Sequence, residues 1–79
     1  MVLLSQLNHG ESGQVLEVAV CGTLRRHLLN LGLVPGSTIK MVRRSPLGDP
    51  VAYRIRGATL ALRKQEADKI SIRRLTDEF

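Results

Sequence analysis

The chain has 79 residues, of which 43% are hydrophobic and 24% are charged. This composition is that of a globular protein, and the length fits one small domain, residues 1–79, which excludes the large catalytic α/β folds. The single cysteine, Cys21, excludes an internal disulfide. Lys and Arg number 12 against 7 Asp and Glu, and the net charge of +5 is compatible with nucleic acid, an anionic membrane surface or an acidic protein as partner.

The first residues lack the features of a secretory signal. The opening apolar run, residues 1–4, is short, and no basic segment precedes it. No uncharged stretch approaches the ~18 apolar residues that a membrane-spanning helix needs. We therefore expect a cytoplasmic protein.

Apolar and polar residues alternate along five short segments, which is the pattern of half-buried β-strands. In the first segment, residues 14–20, the side chains of Leu16, Val18 and Val20 share one face, and Val15 lies on the other. The other predicted strands are residues 38–44, 51–56, 59–63 and 70–72.

A short α-helix is predicted over residues 24–31, with Thr23 as its N-cap. Gly32 ends this helix, and Leu33 folds back to cover the last turn. Residues 76–79 are expected to fray at the end of the chain. The apolar stripe of the helix, at spacing i, i+4 and i+7, consists of Leu24, Leu28 and Leu31.

Glycine and proline mark the connections between the strands. Pro35 and Gly36 predict one turn, and Gly57 predicts another. Residues 64–69 fit one helical turn before the last strand. Five short strands separated by such turns, together with a short helix, are typical of a small SH3-like β-barrel, so the predicted fold class is mainly β.

The loop at residues 45–50 has two prolines around a glycine, and two interpretations of it stay open. In the first, Gly48 with positive φ and Asp49 before Pro50 serve only to shape a hairpin. In the second, the same stiff loop presents an exposed Leu47 that docks a partner at low entropic cost. The two roles are compatible.

Three ordered segments together resemble the FeoA family of bacterial ferrous iron transport accessory proteins. They are residues 24–36 (LRRHLLNLGLVPG), 42–50 (VRRSPLGDP) and 60–67 (LALRKQEA). The residues that we expect to shape the fold within these motifs and turns are Leu28, Leu31, Gly32, Leu33, Pro35, Gly36, Pro46, Gly57, Leu62 and Arg63.

This resemblance implies an SH3-like barrel that acts as an accessory protein without enzymatic activity. The implied partner is FeoB, the membrane transporter of ferrous iron, on its cytoplasmic side, with its GTP-binding domain as a candidate contact. The residues expected to contact this partner are a basic and apolar patch on the helix and the loop described above, namely Arg25, Leu29, Leu47, Gly48, Asp49 and Pro50. For Leu29, packing under a neighbouring loop is an equally open interpretation.

No catalytic or metal-binding pattern accompanies these motifs. The sequence has neither a nucleophile elbow nor a phosphate-binding glycine loop, so no catalytic residue is assigned. The imidazole and thiol candidates, His9, Cys21 and His27, lack the spacing of ligand pairs, and neither a metal site nor a cofactor is expected.

Other functions remain as alternatives. A small basic barrel is compatible with RNA binding, although recognition of single strands uses aromatic stacking and only Tyr53 lies within the predicted barrel. A metal-responsive regulatory module is the third alternative, and DNA binding is not expected. Exposed strand edges allow a weak homodimer.

Overall fold

The computed structural model describes residues 2–75, so the fraying expected of residues 76–79 lies outside this range. Six strands, two short α-helices and one 3₁₀ turn make up the fold of residues 2–75. The strands are β1 (Val2–Leu3), β2 (Ser12–Val18), β3 (Thr38–Arg44), β4 (Val51–Ile55), β5 (Ala58–Leu62) and β6 (Ile70–Leu75). The helices are α1 (Gly22–Asn30) and α2 (Lys64–Ala67), and the 3₁₀ turn is Leu4–Gln6.

The six strands form one antiparallel sheet in the order β1-β6-β2-β3-β4-β5. The mainly β fold with a short helix is confirmed, with six strands in the described chain instead of the five predicted. The additional strand is β1, whose Val2 lies opposite Ile72 and whose Leu3 lies opposite Ser71. Two residues are too few to show an alternation, and for this reason the sequence pattern did not reveal it.

A β-bulge in β2 separates Leu16 from the face that it was predicted to share with Val18. Val15 lies opposite Ile72 and Glu17 lies opposite Ser71, so Leu16 is the extra residue. The bulge shifts the alternation by one position. As a result Val15 is buried at 1% exposure, as is Val18 at 7%, whereas Leu16, predicted to share a face with Val18, is 43% exposed.

The core is continuous and is filled almost entirely by aliphatic side chains. Tyr53 is an aromatic residue within it, at 2% exposure. Leu28 is the fully buried residue of α1, and Leu24 and Leu31 pack beside it while partly exposed. The strands contribute most of the rest, among them Val15, Val18, Ile39, Met41, Val51, Ile55, Leu60, Leu62, Ile70 and Ile72.

Helix α1 begins earlier than predicted. Cys21, with extended backbone, occupies the N-cap position, and the helix starts at Gly22. Thr23 therefore lies inside the first turn, so its assignment as the N-cap was wrong. Leu31 is the C-cap and not the last helical residue.

Glycine closes the other end of α1. Gly32 has φ of +100°, its N–H donates to the carbonyl of Leu29 at 3.0 Å, and the N–H of Leu33 donates to that of Leu28 at 2.9 Å. These two bonds form a Schellman motif, which satisfies the last helical carbonyls. The motif turns the chain so that Leu33 is fully buried over the end of the helix.

The next turn anchors this connection to the sheet. Pro35 and Gly36, the latter with φ of +96°, occupy the middle of a type II turn in which the N–H of Ser37 donates to the carbonyl of Val34 at 3.0 Å. The N–H of Gly36 donates to the carbonyl of Val15, and the N–H of Val15 donates to the carbonyl of Ser37, both at 2.8 Å. The end of α1 is thereby fixed against β2.

We expect Gly32→Ala to lower the free energy of unfolding by about 1–2 kcal/mol, because an L-residue with this φ is strained. Urea unfolding followed by circular dichroism measures this. Gly36→Ala is the matched control. Its φ is similar and its surroundings are open, so it reports the cost of the backbone conformation alone, whereas a Cβ on Gly32 would also lie 2.7 Å from Cδ of Arg56. Unchanged stability of Gly32→Ala would contradict the assigned role.

Candidate functional site

The loop between β3 and β4 is a compact, hydrogen-bonded turn with an exposed apolar tip. The N–H of Gly48 donates to the carbonyl of Ser45 at 2.8 Å, and the N–H of Ser45 donates to that of Pro50 at 3.2 Å. Gly48 has φ of +91°, and the peptide bond between Asp49 and Pro50 is cis. At the tip of this turn, Leu47 is 95% exposed.

Asp49 ties this loop to α2. Its Oδ1 accepts a hydrogen bond of 2.9 Å from the backbone N–H of Lys64, the first residue of the helix. The N–H of Arg63 donates to Oε1 of Glu66 at 2.9 Å. Both contacts satisfy N–H groups at the helix start that have no backbone carbonyl partner within the helix. The carboxylate of Asp49 thus supports the loop structurally, whatever else the loop contacts.

A groove of about 520 Å³ lies beside the loop. The floor of the groove consists of two small side chains, those of Ala52 on β4 and Ala61 on β5, which are direct cross-strand partners. Arg43 lies opposite Ala52 on β3. The other lining residues, which make the walls basic and proline-rich, are Arg44, Ser45, Pro46 and Pro50.

The helix patch, Arg25 and Leu29, forms a second surface. These two residues line a shallow depression of about 330 Å³ along α1, and Leu29 is half-buried there. Nη1 of Arg25 donates to the carbonyl of Val18 at 2.7 Å, which holds the guanidinium against the end of β2. The structure therefore brings Arg25 and Leu29 together, as the sequence suggested.

The helix patch and the loop lie toward opposite ends of the barrel. Gln14 of β2 lies opposite Thr38 at the start of β3, and β2 then continues away from β3 to Val18, where Arg25 is bound. The loop follows Arg44 at the far end of β3, roughly 20 Å along the strand. The predicted contact residues therefore form two separate surfaces, and the groove residues Arg43, Ala52 and Ala61 were not among them.

The ionised groups near α2 form local pairs. Nζ of Lys64 lies 3.2 Å from Oδ2 of Asp68, and the Ser5 hydroxyl donates to Oδ1 of the same carboxylate. The Ser5 hydrogen bond, followed by that of Lys64, holds the pKa of the Asp68 carboxyl below its usual range. Asp68 therefore stays ionised and links the 3₁₀ turn to α2.

Tyr53 lies in the core and not on a binding surface. Burial raises the pKa of Tyr53 to about 12, an effect that the nearby charge of Arg44 partly opposes. A ring that is 2% exposed offers no platform for stacking of a base. This observation disfavours RNA recognition through Tyr53.

Within residues 2–75, no three His, Cys, Asp or Glu side chains come together as a metal site. His9, Cys21 and His27 are exposed. Neither helix of the described chain has the length and apolar run that crossing a membrane requires.

A family model of the FeoA domain matches residues 2–74. The chain belongs to the FeoA family. It is 39% identical over 69 residues to an Fe(2+) transport protein A/Fe(2+) transporter FeoB fusion protein of Porphyromonas gingivalis. That match covers 87% of this chain but only 8% of the relative, so the chain spans a small part of the fusion protein.

Solved FeoA structures have the same fold. The solution structure of FeoA from Chlorobium tepidum is 40% identical, with a TM-score of 0.90 over 98% of this chain and 74% of that one. The zinc complex of Stenotrophomonas maltophilia FeoA, described as a prokaryotic SH3 domain protein, is 29% identical, with a TM-score of 0.78 over 91% and 89% of the two chains. The SH3-like fold expected from the FeoA resemblance is confirmed.

We expect Asp49→Ala to lower the free energy of unfolding by about 0.5–2 kcal/mol, because the N–H of Lys64 loses its acceptor. Asp49→Asn is the matched control, since the amide oxygen can still accept this bond, and it should keep most of the stability. Urea unfolding of both variants measures the difference. Equal losses in the two variants would contradict the capping role.

We expect Ser5→Ala to raise the pKa of Asp68 toward the ordinary value of about 3.9. This substitution removes the hydrogen bond that lowers the pKa most, while that of Lys64 remains. Carboxyl chemical shifts followed by NMR during an acid titration measure this pKa. In the wild type the folded-state pKa lies below the unfolded one. The contribution to stability is therefore present above the unfolded pKa and is lost as the pH falls through the folded pKa. An unchanged pKa in Ser5→Ala would contradict the assignment.

Proposed function

We propose that this FeoA-family protein is a non-enzymatic accessory component of ferrous iron uptake, which binds the cytoplasmic side of a FeoB-type transporter and promotes transport. The observation that supports this most directly is the P. gingivalis relative, in which the two proteins are one fused chain. Tethering raises the effective concentration of one module for another to the mM range for short linkers, which benefits modules that bind each other.

The loop supplies the first contact. Leu47 is 95% exposed, and the hydrogen bonds of the turn and the bond from Asp49 to α2 already hold the loop that carries it. Burial of a leucine side chain is worth roughly 1.5–3 kcal/mol, and a pre-ordered loop loses little conformational entropy on binding. Gly48, Asp49 and Pro50 act in this contact by fixing the direction of Leu47.

The helix patch supplies the second contact. The guanidinium of Arg25 is held by the carbonyl of Val18 while the residue stays exposed, and Leu29 offers a half-buried apolar side chain next to it. An apolar contact with an arginine at its rim is common in protein interfaces. Because the two contacts lie toward opposite ends of the barrel, they engage different segments of the transporter.

The mechanism is differential binding to the states of the transporter. A bound protein shifts a conformational equilibrium only by the ratio of its affinities for the two states. A ten-fold preference for the transport-competent state corresponds to about 1.4 kcal/mol. The GTP-binding domain is the proposed site, since its nucleotide cycle supplies distinct states, and the basic protein requires neither a cofactor nor chemistry of its own.

We expect Leu47→Asp and Leu29→Asp each to weaken binding to the purified, detergent-solubilised transporter by about ten-fold or more, because each places a charge at an apolar contact. Retention on immobilised transporter, measured at low and high salt with RNase present, gives the affinities. Circular dichroism verifies that the variants are folded.

Leu16→Asp is the matched control. Leu16 is an exposed leucine on the β2 bulge, outside both contact surfaces, so this variant should retain wild-type affinity. Equal weakening in all three variants would indicate a general effect of the added charge. Unchanged affinity of both Leu47→Asp and Leu29→Asp would exclude these surfaces as the binding site.

A further inference from the structure

Three cations lie on the outer face of the β3–β4 hairpin, and neither the loop contact nor the helix patch uses them. Lys40 of β3 lies directly opposite Arg54 of β4, and Arg43 lies opposite Ala52. All three basic residues are exposed, whereas their strand neighbours Met41 and Tyr53 point into the core. We call Lys40, Arg43 and Arg54 the hairpin basic face.

The cross-strand partners of these cations carry no compensating charge in the described chain. Along the sheet, the partners beyond Lys40 and Arg54 are Ser12 and Thr59, and beyond Ala52 comes Ala61. Thus none of the cross-strand partners of this face among residues 2–75 is acidic, and no ion pair of the described chain includes a residue of the face.

Like charges directly opposite each other on a sheet destabilise it, since their Cβ atoms lie only about 4.5–5.5 Å apart. The pairing of Lys40 with Arg54 is therefore an unfavourable element of the free protein. A surface rich in negative charge would offset this repulsion on binding. The face is thus suited to an anionic partner.

The neutral residues between the cations indicate what kind of anionic partner fits. Protein interfaces place large apolar and aromatic side chains at the centre and charges at the rim. The neutral cross-strand partners of these cations, Ser12, Ala52 and Thr59, are instead small. Single-stranded RNA is bound through aromatic stacking, and Tyr53, on β4 itself, is buried. Phosphate headgroups of a bilayer require only spread positive charge and impose no apolar centre.

We propose that the hairpin basic face binds the anionic phospholipid headgroups of a membrane surface. The inference rests on the proposed function to the extent that a partner of a membrane transporter works next to a bilayer. The lipid contact would orient the barrel at the surface, which leaves the loop and the helix patch for the transporter.

The test is cosedimentation of the whole protein with vesicles of phosphatidylcholine, with and without phosphatidylglycerol, across a range of salt concentrations. We expect binding only to the vesicles that contain phosphatidylglycerol, and weaker binding as salt rises. A basic residue near such a surface contributes about 1 kcal/mol, or roughly five-fold in affinity. Arg43→Glu and Arg54→Glu should each weaken binding by at least about five-fold.

Two controls make the test specific. Arg26→Glu on α1 changes the net charge by the same amount and should weaken binding less than about two-fold, since this residue lies outside the face. Arg54→Glu also places a carboxylate opposite Lys40, so its midpoint of urea unfolding should rise while its vesicle binding falls. Loss of binding in a more stable variant cannot come from unfolding.

Several outcomes would overturn the proposal. These are no binding to phosphatidylglycerol vesicles at low salt, equal loss for Arg26→Glu and Arg43→Glu, or tighter, Arg43-dependent binding of a single-stranded RNA oligonucleotide than of vesicles. The last would assign the face to RNA. The neutral variant Leu47→Ser separates this proposal from the proposed function, since it should weaken retention on the transporter in detergent but not vesicle binding.

Discussion

The antiparallel pairing of β2 with both of its neighbours is the interaction on which the structure depends. β2 joins β6 on one side and β3 on the other, and so connects the two ends of the chain with its middle. Its bulge directs both Val15 and Val18 into the core. The backbone N–H and carbonyl of Val15 also form hydrogen bonds with the turn that follows α1, so the same strand positions the helix. A chain of this size without an internal disulfide has little other means of fixing its elements.

The proposed binding surfaces follow from this arrangement. Because β2 aligns β3, the β3–β4 loop projects from one end of the barrel, and the turn and Asp49 stiffen it until Leu47 is left outside. Toward the other end, the carbonyl of Val18 fixes Arg25 beside Leu29. The hairpin basic face lies on the outer surface of the same two strands that lead into the loop. Small apolar contacts and a spread charge therefore occupy different parts of one small barrel.

The local backbone conformation could be predicted from the sequence where one or two residues decide it. Gly32 after the helix, Pro35 with Gly36, and Gly48 in the loop each take the positive φ or turn geometry that their residue types favour. The alternation in β4 likewise matches its buried positions. Features that depend on the pairing between strands could not be predicted from the sequence. Alternation alone does not show the bulge at Leu16, because the extra residue is defined only by its partners on β6.

The same limit applied to the candidate site. The exposed Leu47 and the pair of Arg25 and Leu29 could be predicted, since each lies within one segment. The groove and the hairpin basic face could not, because the sequence alone does not set Lys40 opposite Arg54.

The most direct test of the central claim is ferrous iron uptake by reconstituted proteoliposomes that contain the transporter and GTP, measured as this protein is added. The account predicts that the uptake rate rises and saturates with the added protein. An unchanged rate at concentrations where the protein is demonstrably bound would contradict it.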